Sequence, residues 1–376
     1  MNIAFDAKRA FTNNTGLGNY ARTLIQGLVT FKSDNYYFLF SPKQTQSDFQ
    51  DFLNKNDNIK VILPPSTFPS VFHSTWRSFV IPNSYKKFDL DIFHGLSNEL
   101  PLEFCKNKKT KKIVTIHDLI FVRYPKLYNP VDVRIYSTKV KKACKSANLV
   151  IAISEQTKRD LIEFYNVPEQ KIKVVYQSCN PIFFNEPKEN ELQKFKKETN
   201  LPNEFLLYIG TIEERKNLLG LVQAIKLSKF DIPLVVVGSK KDYFKQVMQF
   251  VADNNFSNRI IFLENISTQQ LVYLYNLSTI YVSSSIFEGF GIPIIEALAC
   301  NIPVIAHKDS CFPEAGGLYS QYTDVLNPEL FSATIDKVLE DKNLQKLMRE
   351  KGNEHAQKFT LINTTNAINK LYLELM

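Results

Sequence analysis

Two textures alternate along the chain. Short apolar runs, of the kind that suit strands covered on both faces, are separated by longer stretches with helical spacing. The runs fall at residues 2–6, 36–41, 60–63, 91–94, 113–117, 149–154 and 173–176, then at 205–209, 233–237, 259–262, 280–283 and 303–306. Helical spacing marks residues 20–31, where Leu24, Leu28 and Phe31 share a face. It returns at 133–145, 155–164, 217–226, 242–253, 268–276, 293–300, 328–339, 342–358 and 361–376. Strand and helix in alternation predict an α/β protein with parallel sheets under helices. The chain's 376 residues are too many for one comfortable core. Around residues 180–204 the texture changes, with Pro181, Pro187 and Pro202 flanking a short charged helical piece. This divides the chain into domains 1–180 and 181–360, with a last helix at 361–376. There is no tandem repeat or low-complexity run.

In open α/β sheets a ligand sits beyond the carboxyl ends of the strands. Gly16 and Gly18, His94-Gly95, His117-Asp118, Gly210 and the segment 283–300 all fall there. Their recurrence in both halves predicts one cleft between two facing domains.

The richest segment runs from Ser283 to Cys300. Gly289 and Gly291 allow close backbone approach, and Pro293 fits the first turn of a helix. The N–H groups and dipole of that helix end favour an anion, with phosphate the natural choice. Glu288 and Glu296 would repel phosphate, so they suit hydroxyl-rich groups, since a carboxylate accepts several hydrogen bonds. Phosphate with two sets of hydroxyls describes a sugar nucleotide. A strand end, Gly210 and the basic pair Arg215-Lys216 precede a helix, a setting that suits neutralising a diphosphate.

Other signals leave alternatives open. Gly16-Leu17-Gly18-Asn19-Tyr20-Ala21 matches G-x-G-x-x-A, but residues 7–14 separate it from its strand, unlike a dinucleotide fingerprint. It is a structural turn, or a loop reaching a phosphate or acceptor. His117, and more weakly His94, is either a packing residue or a catalytic one. Asp89-Leu90-Asp91 resembles the acidic pair that holds a divalent metal in some sugar transferases, yet it leads into a strand, and no metal is expected. Neither a cysteine–histidine cluster nor a hydrolase signature is present.

Composition is ordinary, at 44 % hydrophobic and 22 % charged, with no apolar run of membrane-span length. The amino terminus reads as a strand and not a signal peptide. Cys105, Cys144, Cys179, Cys300 and Cys311 are scattered and odd in number, which suggests reduced thiols in a cytosolic protein. The net charge of +8 is uneven: residues 1–180 carry 26 Lys/Arg against 15 Asp/Glu, leaving the remaining half net acidic. Lys106, Lys108, Lys109, Lys111 and Lys112 form one cluster, and Lys139, Lys141, Lys142 and Lys145 another. These are solvated surface, or a patch for an anionic membrane or acceptor. Nucleic acid is not expected, since no binding motif accompanies the charge.

Taken together, these motifs resemble the family-four retaining glycosyltransferases of the GT-B fold, over nearly the whole chain. The most specific part is Glu288 and Glu296 within Glu-Gly-Phe-Gly-Ile-Pro and the following Asn301-Ile302-Pro303-Val304-Ile305. The subgroup is similar to bacterial transferases of capsule, O-antigen and other cell-surface glycans, many of them mannosyltransferases. The resemblance implies two facing Rossmann-like domains, an acceptor domain at 1–180 and a nucleotide-sugar domain at 181–360, with helix 361–376 crossing back to the first. It implies that Glu288 contacts the donor sugar and Glu296 the ribose. The backbone of Gly289, Phe290, Gly291 and Ile292, with Arg215 and Lys216, would hold the diphosphate. His117 would lie beside the sugar, Gly16 and Gly18 near phosphates and acceptor, and Asn265-Ile266 near the base. Two positions depart from the pattern: Thr211 stands where many members carry a basic residue, leaving that load to Arg215, and Asn301 stands where glycine is common.

The implied reaction moves a hexose, best matched by mannose from GDP-mannose, to a lipid-linked or polysaccharide acceptor. It needs no metal or cofactor beyond the nucleotide-sugar substrate. No carboxylate is placed as a covalent nucleophile, so same-face substitution by positioning and charge stabilisation is implied. The implied location is cytoplasmic, peripheral on the inner face of the membrane. A GT-B epimerase or phosphorylase, and a non-catalytic sugar-nucleotide-binding protein, are the alternatives.

Overall fold

A computed structural model describes residues 1–13, 15–43, 48–65, 88–101 and 109–376. The chain forms two compact units, Met1–Ser178 with Leu361–Met376, and Cys179–Thr360. Thirteen parallel strands are described: β1 (Asn2–Asp6), β2 (Tyr36–Phe40), β3 (Ile59–Ile62), β4 (Ile92–Gly95), β5 (Lys111–Ile116), β6 (Leu149–Ala152) and β7 (Ile172–Val174), then β8 (Leu206–Ile209), β9 (Leu234–Val237), β10 (Ile260–Leu263), β11 (Ile280–Val282), β12 (Val304–His307) and β13 (Gln321–Thr323). The first unit's sheet has the order β3-β2-β1-β4-β5-β6-β7, and the second's β10-β9-β8-β11-β12-β13.

The apolar runs form these strands because helices cover both faces, so every side chain of β4 and β9 is buried. In the first unit one face packs Ile3, Phe5, Leu24, Leu28 and Ile151, closed by Ile368, Leu371 and Tyr372 of the last helix, Leu361–Leu375. That helix therefore does return to the first unit. The other face packs Phe93, Val114, Val140 and Leu161. In the second unit Leu221, Ile225, Val236, Ile280 and Phe331 form the core.

The strand order reverses beside β1 in one sheet and beside β8 in the other. Neighbouring strands there send their loops in opposite directions, which opens a crevice at the carboxyl ends. The loops after β8 and β11 flank the second reversal, which is why residues 210–217 and 283–291 meet.

Some elements were not foreseen. Residues 8–12 form a short helix inside the stretch read as polar loop, and helices Asp48–Asn54, Ile120–Arg123 and Phe312–Gly316 were also missed. β13 is a short, polar edge strand without an apolar run. The helix read at 342–358 ends at Ala356 and tightens into a 3₁₀ turn. Asparagine closes several helices. Asn200, Asn255 and Asn301 are left-handed, at φ 51°, 53° and 59°, and the next N–H bonds back to Lys196, Val251 and Ala297. Asn301 thus takes the turn expected of glycine. With only 12 glycines in the chain, asparagine supplies most of the left-handed positions among the described residues.

Candidate functional site

In the second unit, β8 ends at Ile209 and the chain turns through Gly210 into a 3₁₀ turn, Glu214–Lys216. Asn217 is left-handed and caps the next helix, Leu218–Leu227, by accepting from the Gly220 N–H. Arg215 and Lys216 are thereby held immediately before a helix end. Beyond β11, residues 283–291 cross in front of them. Ile286 N–H donates to the Arg215 carbonyl at 2.9 Å, and Ser284 Oγ donates to the Lys216 carbonyl at 2.7 Å. These bonds fix the two segments in register.

Three predicted residues converge there. Arg215 Nη1 lies 2.9 Å from Glu288 Oε2, and the Lys216 ammonium lies against Oε1. The side chains of Arg215, Lys216 and Glu288 are 13, 18 and 16 % exposed. Arg215 Nη1 also donates to the Phe287 carbonyl at 2.6 Å, and Nη2 to Glu213 Oε1 at 2.8 Å. Glu213 in turn pairs with Lys241. Burial pushes the Glu288 carboxyl up, but Lys216 and Arg215, with a Ser285 hydrogen bond, hold it down to about 2. The result is a partly desolvated cationic pair with one carboxylate between the charges.

Gly291 takes φ 103°, a conformation that only glycine adopts easily, and starts the helix Ile292–Ala299. Pro293 lies in its first turn, as the spacing predicted. Glu296 lies one turn further and accepts from Tyr275 Oη at 3.0 Å. Burial raises its carboxyl to about 7, against the pull of that hydrogen bond. The two glutamates, alike in sequence, are thus electrostatic opposites: one fixed as a carboxylate, the other near half-protonation at neutral pH. Asn265, left-handed and exposed, and half-buried Ile266 follow β10 at the sheet edge, ahead of a helix capped by Ser267.

In the first unit His117 follows β5 and is 4 % exposed. Its Nε2 is 2.8 Å from the Leu96 carbonyl and its Nδ1 is 3.0 Å from Gln177 Nε2. A carbonyl accepts only from N–H, and Gln177 donates, so the proton sits on Nε2. Burial lowers its pKa to about 4, so the ring is neutral. The Tyr20 ring meets it edge-on at 4.7 Å. His94 is fully buried, with Nδ1 2.7 Å from Tyr372 Oη and Nε2 2.8 Å from Thr115 Oγ1. It ties the last helix to the sheet.

The helix read at 20–31 begins at Gly16, so both N-terminal glycines lie in its first turn and not in a loop, and there they separate in kind. A Cβ on Gly18 would lie 1.8 Å from the Asn13 carbonyl oxygen, while one on Gly16 would meet nothing within 4 Å. Gly18 is required by the close approach of the Asn13 backbone to the helix, and Gly16 is open. Asp91 Oδ2 accepts from the Asn2 N–H at 2.8 Å, and Asp89 pairs with Lys109. Both members of that acidic pair therefore have structural partners. Among the described residues no three His, Cys, Asp or Glu side chains gather as a metal site would require. Cys144, Cys179, Cys300 and Cys311 are buried free thiols, whereas Cys105, Lys106 and Lys108 lie outside the described residues.

Glu213, Ser285, Tyr275 and Gln177 were missed as partners of the site residues. Glu213 was within reach, standing two residues before Arg215. Ser285 stands three residues before Glu288 in the segment already singled out, whereas Tyr275 and Gln177 come from distant segments and carry no motif.

Comparison with known proteins gives this geometry a context. Residues 14–181 match the family described as Glycosyltransferase Family 4, and residues 189–355 that described as Glycosyl transferases group 1. An O-antigen chain mannosyltransferase B from Escherichia coli is 28 % identical over 98 % of this chain and 99 % of its own length. Among solved structures, a glycosyltransferase from Rickettsia africae superposes with TM-score 0.77 at 23 % identity, over 100 % of this chain and 98 % of that one. HepE of Anabaena, in complex with UDP and glucose, superposes with TM-score 0.78 at 17 % identity over 100 % of both chains.

Proposed function

Since the chain belongs to the glycosyltransferases, with its family 4 and group 1 regions together spanning most of its length, we propose that it transfers mannose from GDP-mannose to a lipid-linked or polysaccharide acceptor of a cell-surface glycan. The naming of its full-length relative supports the sugar. The observation that carries the reading is the convergence of Arg215, Lys216 and Glu288 at the β8/β11 reversal. The second unit is assigned to the donor and the first to the acceptor.

A donor diphosphate brings negative charge to Arg215 and Lys216 and replaces Glu288 as their partner. Glu288, already ionised, then turns to the hydroxyls of the sugar. Both cations strengthen their hold as the diphosphate leaves, in a partly desolvated setting where such donors matter most. Their two charges serve where a divalent cation otherwise would. Glu296 accepts from the ribose hydroxyls. With no carboxylate assigned as nucleophile, the acceptor hydroxyl forms its bond to the sugar on the face from which the diphosphate departs and gives its proton to the departing diphosphate oxygen, so the configuration is retained. His117 is neutral with both ring nitrogens engaged inside the first unit, so it is not assigned as an acid or base.

The test is turnover of Arg215→Ala and Lys216→Ala with a panel of nucleotide sugars. Each loses on the order of 3 kcal/mol, about 100-fold, of transition-state stabilisation. Wild-type turnover in both would sink the assignment. Thermal shift across the panel identifies the donor, with GDP-mannose expected to stabilise most. Donor conversion without an acceptor would indicate an epimerase, and no conversion at all a binding protein.

The acceptor side is also assigned to a membrane surface. The helix Pro130–Ser146 exposes Val131, Ile135 and Tyr136 together with Arg134, Lys141, Lys142 and Lys145. An apolar edge with adjacent cations suits an anionic bilayer. No helix among the described residues is long and apolar enough to cross a membrane. Binding to phosphatidylglycerol vesicles should weaken from 50 to 500 mM salt, and salt-insensitive or absent binding refutes this assignment.

A further inference from the structure

The glycine loop is held from behind by two residues with no role so far. Ser310 and Cys311 follow β12 and start the short helix Phe312–Gly316. The buried Cys311 Sγ lies 3.2 Å from the Glu288 carbonyl oxygen and 3.1 Å from that of Phe290. Ser310 Oγ donates to the same Glu288 carbonyl at 3.3 Å. Ser310 reaches it with φ 67°, a left-handed conformation that serine rarely adopts. Ala315 and Phe312 of the same helix pack within 4 Å of where a Gly291 Cβ would stand. Burial keeps the Cys311 thiol protonated and able to donate.

The consequence follows from peptide planarity. Described peptide bonds are all trans, so each C=O points opposite to the next N–H. With the carbonyls of Glu288 and Phe290 aimed at Cys311, the N–H groups of Gly289 and Gly291 are aimed away from it. A serine strained into place and a thiol shared by two carbonyls together set the direction of two amides. We propose that Ser310 and Cys311 are positioning residues for the glycine loop, orienting its amides toward the donor's diphosphate. The inference rests on the sugar-nucleotide reading of this site.

The experiment uses the full chain, with GDP and UDP binding followed by calorimetry and donor turnover by steady-state kinetics. Cys311→Ala removes the donor and should weaken nucleoside diphosphate binding at least fivefold. KM for the nucleotide sugar should rise in parallel, with kcat within threefold of wild type. Cys311→Ser restores a hydroxyl donor and should return to within twofold. A residue that merely fills space would leave Ser no better than Ala, since both are smaller than Cys. Wild-type affinity in Cys311→Ala, or equal losses in the Ser and Ala variants, overturns the proposal. Should Cys311→Ala fail to fold, Ser310→Ala provides the same reading with a smaller expected loss. Arg215→Ala serves as the control: its loss beside an unaffected Cys311→Ala defeats this proposal alone, while an unaffected Arg215→Ala defeats the site reading.

Discussion

Glu288 and Glu296 should leave separate marks on the pH dependence of stability. Glu296 titrates near 7 in the fold, against an ordinary 4.5 when unfolded. Its proton is thus held more tightly in the folded state. Stability from this source is fully present below pH 4.5 and is lost as pH rises through 7. The difference of about 2.5 pH units corresponds to about 3 kcal/mol. Glu288 runs the other way, at about 2 folded against 4.5 unfolded. Its contribution, also about 3 kcal/mol, is present above pH 4.5 and lost as pH falls toward 2. The windows do not overlap, so single substitutions separate them. Urea unfolding at half-unit pH steps should show that Glu296→Gln flattens the decline between pH 4.5 and 7 and leaves the acid limb alone. Glu288→Gln should flatten the acid limb only. A Glu296→Gln curve parallel to wild type through pH 4.5–7 would refute the reasoning. If ribose hydroxyls bond the ionised Glu296, donor binding at pH 7 should also release protons, measurable by calorimetry in buffers of different ionisation enthalpy.

Three further outcomes are open to direct measurement. Gly16→Ala should unfold like wild type, whereas Gly18→Ala should destabilise by about 2 kcal/mol or more because its Cβ meets the Asn13 carbonyl; equal midpoints in urea would contradict this. Asn301→Ala should cost about 1–2 kcal/mol because alanine resists the left-handed cap, while Asn301→Gly stays within about 0.5 kcal/mol of wild type; comparable midpoints for Ala and Gly would count against it. Tyr372→Phe leaves the fully buried His94 Nδ1 without its 2.7 Å partner and should cost about 1–3 kcal/mol, again read from urea midpoints.

Much of the scaffold is legible from apolar runs, because parallel strands buried on both faces cannot be polar. β13 escaped because an edge strand of three residues, Gln321–Thr323, needs no such run. The helix at residues 8–12 escaped because it is short and its polar face outweighs Ala10 and Phe11. At the site, Glu288, Arg215 and Lys216 could each be singled out from the sequence, by a helix start and a strand end, and the fold brings them together. That they neutralise one another was not legible, since the pairing depends on β8 and β11 lying side by side, which spacing along the chain does not encode. The split between Glu288 and Glu296 depends on Arg215, Lys216 and Ser285 around one and on burial beside Tyr275 for the other. The thiol of Cys311 read as one of five scattered cysteines, and only the fold brings it to the glycine loop.

The return of the last helix reverses the order in which the two units reach completion during synthesis. Tyr372 closes onto His94 across 278 positions of chain. At about 5–20 residues per second a ribosome needs roughly 14 to 56 seconds to cover that distance. The second unit, a continuous stretch from Cys179 to Thr360, has all its own residues before the first has its final core layer. Throughout that interval the nascent first unit keeps Ile25, Leu28 and a half-partnered His94 beneath an open face. A chain halted before residue 361 would remain in that state, with a finished second unit attached to an unsealed first one.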